Sequence, residues 1–176
     1  NRAQFIADAI ESVLRQEIAR PLDVLVIDDG STDGTAQILA DLAAQDSRVR
    51  VVRRENGGVT RARNTGLESL LEETEFVTFL DSDDVMAPGR FIEDLQILLD
   101  EQEVEITYGD MTITFEIDRA TLSIPTDAKH ITQTGIHMAC CLYRRGFLEK
   151  IGRFDEALEM AEDTDFIFRT FEIGAN

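Results

Sequence analysis

The sequence contains no tryptophan and few cysteines, prolines and histidines: two, three and two among 176 residues. Cys140 and Cys141 are adjacent, a spacing that suits neither a disulfide framework nor a zinc site. We expect both to be reduced residues of a core or a strand, as in a cytosolic protein. Because no unbroken run of about 18 apolar residues occurs, the sequence predicts no membrane-spanning helix. Its first residues are not typical of a secretory signal.

Basic residues are also scarce. Lysine and arginine together number 17 against 35 aspartates and glutamates, which gives a formal net charge of −18. Phosphate backbones repel such a surface, so we expect no nucleic-acid partner. Most of the acids are expected to lie on solvated faces, and only acids held in a fixed local frame suggest chemistry. The length and the apolar content of 43% are typical of one globular domain.

Helical and strand-like spacing of apolar residues alternates along the first 100 residues. The run Val24-Leu25-Val26-Ile27 is typical of a strand buried on both faces. The pattern predicts further strands over 49–52 and 76–80, and helices over 5–14, 38–42, 60–71 and 91–99. This order predicts a largely parallel sheet with helices on its faces. In such sheets ligands bind beyond the carboxyl ends of the strands.

The regularity fades after residue 108. We predict a strand over 111–117, a loop over 126–135, a short strand over 140–143, and helices over 147–151 and 165–171. The first helix has no strand before it, and the chain stops just past the last helix. We therefore expect a fragment of a longer protein.

Two acidic segments directly follow predicted strands. The segment 28–35 (DDGSTDGT) contains carboxylates that can accept hydrogen bonds from a nucleotide base or a ribose, although a polar turn that caps the next helix would have the same composition. The segment 81–84 (DSDD) has the spacing with which two carboxylates can share one Mg²⁺ or Mn²⁺. Such an ion would neutralise a diphosphate and stabilise the charge on a departing phosphate. The alternative is an acidic turn that ends at Pro88.

Two further groups of residues suggest chemistry less strongly. Glu162 and Asp163 could supply a general base, although acids in the first turn of a helix are also favoured by its dipole. Arg63 and Asn64 follow the segment Asn56-Gly57-Gly58. Arginine can pair with a phosphate or a base edge, but a surface arginine that pairs with neighbouring acids is equally compatible with the pattern.

Five motifs in one order resemble family 2 glycosyltransferases of the GT-A fold. They are IDDGSTDGT at 27–35, NGG with ARNTGL at 56–58 and 62–67, FLDSDD at 79–84, GRFDE at 152–156 and EDTDF at 162–166. Asn1 also resembles the asparagine that closes the opening strand motif of that family. The resemblance covers nearly the whole chain. It implies an α/β, Rossmann-like nucleotide-diphospho-sugar transferase domain over 1–176, with a nucleotide-binding half at 1–110 and an acceptor-side half at 111–176.

The resemblance further implies an inverting transfer of a sugar from a nucleotide-diphosphate sugar, with a UDP-sugar as the favoured donor and Mn²⁺ or Mg²⁺ as the cofactor. The implied acceptor is a hydroxyl of a glycan, a lipid-linked glycan or another molecule, in the synthesis of a cell-surface polysaccharide or glycan. The implied location is the cytoplasm, at the inner face of the membrane through regions outside this chain.

Site roles carry over by position. On the donor side, Asp29 would hold the base, Asp28 would support its loop, and Arg63 and Asn64 would lie near the nucleotide. Asp81 would contact the ribose or a metal-bound water.

On the reaction side, Asp83 would bind the metal together with Asp81. Asp163 would deprotonate the acceptor hydroxyl, and Glu162 would lie beside it.

Two other functions remain as alternatives. The first is a non-catalytic module that binds a nucleotide sugar. The second is a phosphatase, because a strand followed by Asp81-x-Asp83 also resembles the nucleophile loop of haloacid dehalogenases. In that family Gly or Thr is favoured where this chain has Asp84, and only Lys129 and Lys150 could serve as its phosphate-binding lysine.

Overall fold

Helices and strands alternate through the first 100 residues, as predicted. The computed structural model describes residues 1–158 and 160–175, so residues 159 and 176 of the predicted domain lie outside the described part. The elements are α1 (Ile6–Leu14), β1 (Val24–Asp29), α2 (Thr35–Gln45), β2 (Val49–Arg54), α3 (Val59–Glu68), β3 (Phe76–Val77) and α4 (Arg90–Asp100).

The remaining elements are short apart from the last helix. They are β4 (Ile106–Tyr108), β5 (Met111–Thr114), β6 (His130–Gln133), a 3-10 turn (Met138–Cys140), β7 (Cys141–Arg144), α5 (Arg145–Ile151) and α6 (Glu162–Glu172). The predicted loop over 126–135 is wrong where β6 forms. All four β6 residues are exposed, so no apolar run marks the strand, and its pairing with the distant β5 creates it.

Parallel pairing joins β1 and β2 in a register that runs from Val24 opposite Val49 to Asp29 opposite Arg54. Strand β7 lies between β3 and β4 and is antiparallel to both, so β3 and β4 are parallel to each other. The prediction of a strand over 76–80 is wrong beyond Val77. There the Thr78 hydroxyl, rather than a backbone group, bonds to the Cys141 carbonyl at 2.7 Å.

The apolar residues 24–27 of β1 are only partly buried, so the prediction of a strand buried on both faces is wrong in degree. Val24 and Val26 pack against the cluster formed by α1, α2 and β2, and Ile27 lies beside Gly66 of α3. Helices thus contact both faces. Within residues 1–158 and 160–175, however, β1 has a strand neighbour on one edge only, and the other edge leaves its side chains partly accessible.

An aromatic cluster forms the largest of the apolar cores. Tyr143, Phe147, Phe154 and Phe166 are buried in it, and the rings of Phe154 and Phe166 stack at 4.2 Å between centroids. This cluster fixes α6 to the sheet, because Phe166 belongs to that helix. Both cysteines are buried and free, as predicted.

The β5–β6 hairpin presents apolar side chains to solvent. Ile113 and Ile131 are cross-strand partners, and both are exposed. Phe115, one residue past β5, is fully exposed. A separate finding is that no helix of the described residues is long and apolar enough to cross a membrane.

Candidate functional site

The buried carboxylate of Asp28 shapes the loop that follows β1. Its Oδ1 accepts the Ser31 backbone N–H at 2.9 Å, and its Oδ2 lies 3.1 Å from a guanidinium nitrogen of Arg53. Burial raises the pKa of Asp28, but the hydrogen bonds from Ser31 and the charge of Arg53 outweigh burial and lower the pKa overall. Asp28 is therefore held as a carboxylate that supports the loop.

Asp29 joins this loop to the glycine segment before α3. Its carboxylate accepts the backbone N–H groups of Gly57 and Gly58, at 3.0 and 2.8 Å, and pairs with Arg54 at 2.9 Å. Gly30 makes the close approach feasible: its φ is +74°, and a Cβ at this position would lie 2.8 Å from the Asn56 nitrogen. The loop after β1 and the segment before α3 thus form one unit.

A tight turn follows β3. The Asp84 N–H donates to the Asp81 carbonyl at 3.0 Å, which brings three carboxyl groups together. Partial burial raises the pKa of Asp84, and the charges of Asp81 and Asp83 raise it further. Negative charge is therefore concentrated at this turn.

Residues of the chain's first turn link the two acidic loops. The Asn1 side-chain oxygen accepts the N–H groups of Thr32 and Asp33, at 2.7 and 3.2 Å, in the loop after β1. Arg2 lies 3.5 Å from Asp83 in the turn after β3, and its backbone N–H donates to Thr35 at the start of α2. The loop after β1 and the acidic turn after β3 therefore lie close to each other.

Arg63 connects the acidic turn to the start of α6. One guanidinium nitrogen lies 2.7 Å from the Glu162 carboxylate, and another lies 3.2 Å from the Asp81 carboxylate. The guanidinium also covers the Phe154 ring, 5.6 Å from its centroid. Three predicted site residues, Arg63, Asp81 and Glu162, therefore meet at one place, although they are as many as 99 positions apart.

Asn64, next to Arg63, is buried and bonded within the protein. Its side-chain nitrogen donates to the Phe154 carbonyl and to Glu156, and its oxygen accepts the Phe154 N–H. The hydrogen bond from Asn64 is the main cause of the lowered pKa of Glu156, to which Arg61 adds. Asn64 therefore supports the loop at 152–156 from behind the site.

Asp163 differs from the other candidate carboxylates. Its Oδ1 accepts the neighbouring Thr164 N–H at 2.7 Å, its side chain is exposed, and within the described chain it has no arginine partner. Asp28, Asp29, Asp81, Asp83 and Glu162 each have one. Asp163 is therefore the one of these six candidate carboxylates that no arginine covers and that solvent, or an acceptor, can reach.

The arginine partners of Asp28, Asp29 and Asp83 were not predicted, whereas Arg63 was among the predicted site residues. Arg53 and Arg54 could have been found, because two arginines at the end of β2 stand directly opposite Asp28 and Asp29 in the parallel register. The role of Arg2 had no such signal, since it depends on how α1 docks beside the turn after β3.

The acidic turn fits a divalent cation through its donor atoms. Among residues 1–158 and 160–175, no three His, Cys, Asp or Glu side chains group as a complete metal site. Asp81 and Asp83 nevertheless offer the hard oxygen ligands that Mg²⁺ and Mn²⁺ prefer, and ligand oxygens or waters usually complete such sites. Burial is the main cause of the raised pKa of Asp84, and a cation would relieve the smaller contribution from the charges of Asp81 and Asp83.

Sequence comparison gives one family. Residues 1–152 match the family model described as glycosyl transferase family 2. The chain is 29% identical over 188 residues to EpsJ of Bacillus subtilis, an uncharacterized glycosyltransferase. The match covers 97% of this chain and 53% of that protein. It is 29% identical over 181 residues to GgaA of B. subtilis, a minor teichoic acid biosynthesis protein, with 94% of this chain and 40% of that protein covered.

Solved structures share the fold. S. aureus TarS 1–349 in complex with UDP has a TM-score of 0.71 at 24% identity, with 97% of this chain and 52% of that chain covered. The mannosyltransferase PcManGT from Pyrobaculum calidifontis, in complex with GDP-Man and Mn²⁺, has a TM-score of 0.73 at 20% identity, with 100% and 50% covered. The chain thus spans about half the length of the proteins that it resembles. Its fold is the α/β GT-A fold, and by its sequence the chain belongs to glycosyl transferase family 2.

Proposed function

We propose that the intact protein is an inverting glycosyltransferase that moves a sugar from a nucleotide-diphosphate sugar to an acceptor hydroxyl in polysaccharide or glycan synthesis. The observation that carries this proposal is the contact of Arg63 with both Asp81 and Glu162. Through it, the acidic turn that suits a metal and a diphosphate lines the same site as the acidic start of α6. GgaA, a teichoic acid biosynthesis protein, supports the polysaccharide context.

On the donor side, we assign the nucleotide to residues 1–110 and to the loop that Asp28 and Asp29 organise. A UDP-sugar is the favoured donor, which the UDP complex of TarS supports. Arg63 and Asn64 lie in α3, behind the Asn56–Gly58 segment that Asp29 holds. Their polar atoms are bonded within the protein, which favours support of the site over direct contact with the nucleotide.

Asp83 and Asp81 would hold Mn²⁺ or Mg²⁺. When bound, the ion would neutralise the diphosphate and stabilise charge on the departing phosphate. The Mn²⁺ complex of PcManGT supports a divalent cofactor in this fold. Arg2 pairs with Asp83 and Arg63 pairs with Asp81, and these ion pairs hold both carboxylates at the turn.

On the acceptor side, within residues 111–176, Asp163 is the proposed general base, with Glu162 beside it. Asp163 would take the proton of the acceptor hydroxyl, whose oxygen attacks the anomeric carbon from the face opposite the diphosphate. The bond to the phosphate oxygen breaks, and the nucleoside diphosphate leaves with the electron pair. One displacement inverts the anomeric centre. The acceptor is a glycan, a lipid-linked glycan or another hydroxyl compound at the cytoplasmic side.

The test uses the full-length protein. Calorimetry with UDP and GDP, with and without Mn²⁺, is followed by assay of the matching nucleotide sugars and by NMR of the anomeric proton of the product. We expect Asp83→Ala to abolish the Mn²⁺-dependent part of nucleotide affinity, whereas Asp100→Ala, which removes an exposed carboxylate at the far end of α4, serves as the control. Unchanged Mn²⁺-dependent affinity in Asp83→Ala would contradict the metal assignment, and a retained anomeric configuration would contradict inversion.

The same assay separates the alternatives. Nucleotide binding without sugar transfer by the full-length protein would favour a non-catalytic module. A lysine beside Asp81 would favour a haloacid-dehalogenase-like phosphatase. The cation that contacts Asp81 is Arg63, and Lys150 contacts Glu105 instead.

A further inference from the structure

We infer that Arg63 is a positioning residue rather than a residue that contacts the donor. It holds the start of α6, which bears the proposed base Asp163, at a fixed distance from the acidic turn. The inference rests on the proposed function, because it concerns the distance between the site of the diphosphate and the base Asp163. It assigns Arg63 a role that neither the motif pattern nor the family match specifies.

Arg63 and Glu162, which form the shorter of the two ion pairs, are both largely sheltered from water. The Arg63 and Glu162 side chains are 13% and 12% exposed, and they meet at 2.7 Å. A charge pair in this setting is screened far less than one on the surface, and removal of one partner leaves the other poorly solvated. The second contact, to Asp81, uses a different guanidinium nitrogen. The planar fork of arginine can bond two separated acids at once, whereas the single ammonium of lysine is a point charge.

Aromatic packing fixes the direction of the guanidinium. Arg63 covers Phe154, and Phe154 stacks on Phe166 of α6 with an interplanar angle of 14°. The next residue along α3, Asn64, bonds to both backbone groups of Phe154. Arg63 and α6 therefore pack against the same ring.

The start of α6 has few other restraints. Its N-cap residue, Ala161, has a φ of 62°, and alanine offers no side-chain oxygen to cap the helix. Glu162 is the first helical residue and Asp163 the second. A force that holds Glu162 therefore holds the backbone that bears Asp163.

Charge also argues against direct donor contact. Two carboxylates already offset the single positive charge of Arg63. A diphosphate oxygen would have to displace one of them from a guanidinium that is largely covered. Arg2 and Arg61, with about half of their side chains accessible, are better placed to meet an anion.

The experiment compares Arg63→Ala and Arg63→Lys with Arg48→Ala in the full-length protein. Arg48 also pairs with an acid, Asp46, but lies before β2, at the opposite end of the strands from the site. For Arg63→Ala we expect the UDP dissociation constant to change less than about 3-fold and kcat to fall about 100-fold, since a shift of about 1 Å in a catalytic group has that effect. Arg63→Lys should recover only part of kcat, and Arg48→Ala should match the wild type. Nucleotide affinity weakened about 10-fold or more, with kcat near the wild-type value, would overturn the inference.

A second measurement does not depend on turnover. Hydrogen–deuterium exchange at residues 162–165 should be faster in Arg63→Lys and in Glu162→Gln, while exchange in α2 stays unchanged. These milder variants serve if Arg63→Ala does not fold. Unchanged exchange at 162–165 in both variants would overturn the positioning role. A wild-type protein that transfers no sugar would refute the proposed function, while the exchange result would still decide whether Arg63 holds α6.

Discussion

The side chain of Asn64 binds the backbone of Phe154 as a strand neighbour would. Its Nδ2 donates to the Phe154 carbonyl at 3.0 Å, and its Oδ1 accepts the Phe154 N–H at 2.9 Å. Asn64 is only 3% exposed. An amide on α3 therefore satisfies both backbone groups of a buried residue in a loop 90 positions away.

We predict that Asn64→Ala lowers the free energy of unfolding by about 2–4 kcal/mol, because it leaves a buried N–H and a buried carbonyl without partners. Urea unfolding followed by circular dichroism measures the change. Gln37→Ala, which removes an exposed side chain that bonds to Asp41, is the control and should change stability by less than about 0.5 kcal/mol. A loss below about 1 kcal/mol in Asn64→Ala would mean that water replaces the amide.

Gly30→Ala should destabilise the protein by about 1–3 kcal/mol, because alanine at a φ of +74° is strained and its Cβ would lie 2.8 Å from the Asn56 nitrogen. The matched control is Gly146→Ala. Gly146 lies in α5, where an added Cβ meets no atom within 4 Å, so a neutral or slightly stabilising change is expected. Thermal unfolding of both variants provides the comparison. Equal midpoints would show that the loop adapts.

Asp163→Asn in the full-length protein should keep nucleotide affinity while kcat falls by about 10²- to 10⁴-fold, the usual contribution of a general base. Asp165→Asn is the control on the same helical turn, since Asp165 pairs with Arg169. Steady-state kinetics with saturating donor gives kcat for both. Wild-type turnover in Asp163→Asn would remove Asp163 from the mechanism.

The loop after β1 should contribute to acid sensitivity. Hydrogen bonds from Thr35 lower the pKa of Asp33 from 3.8 to about 2. The folded state thus binds this proton more weakly than the unfolded state, so the stabilisation is complete above about pH 4 and is lost as the pH falls towards 2. In Asp33→Asn, the free energy of unfolding should therefore fall less steeply over this range. Urea titrations at several pH values test this, and parallel curves for variant and wild type would be inconsistent with it.

Local pattern was sufficient to predict much of the fold. The helices α2 and α4 have apolar residues at helical spacing. The acidic segment 28–35 begins at the carboxyl end of β1, and the segment 81–84 comes after β3, where an α/β sheet binds ligands. Strand β6 could not be predicted, because its four exposed residues have no apolar pattern of their own and its partner strand lies about 20 positions away.

The residues of the candidate site were predicted more completely than the contacts between them. The motif order selected Asp81, Arg63 and Glu162. It could not show that the Arg63 guanidinium contacts both carboxylates, since Asp81 lies 18 positions and Glu162 lies 99 positions along the chain from Arg63. Similarly, Arg2 faces Asp83 only because α1 docks beside the turn after β3. Such contacts depend on how the elements pack, which composition and spacing do not encode.

The exposed face of the β5–β6 hairpin has a consequence for behaviour at high concentration. Ile113, Ile131 and Phe115 lie in water, and within the described part of the chain neither outer edge of this two-stranded sheet pairs with another strand. Open edges beside apolar side chains promote aggregation through intermolecular β-pairing. Self-association of the isolated domain should therefore begin at this hairpin, and a lysine in place of Ile131 should raise the concentration at which light scattering first increases.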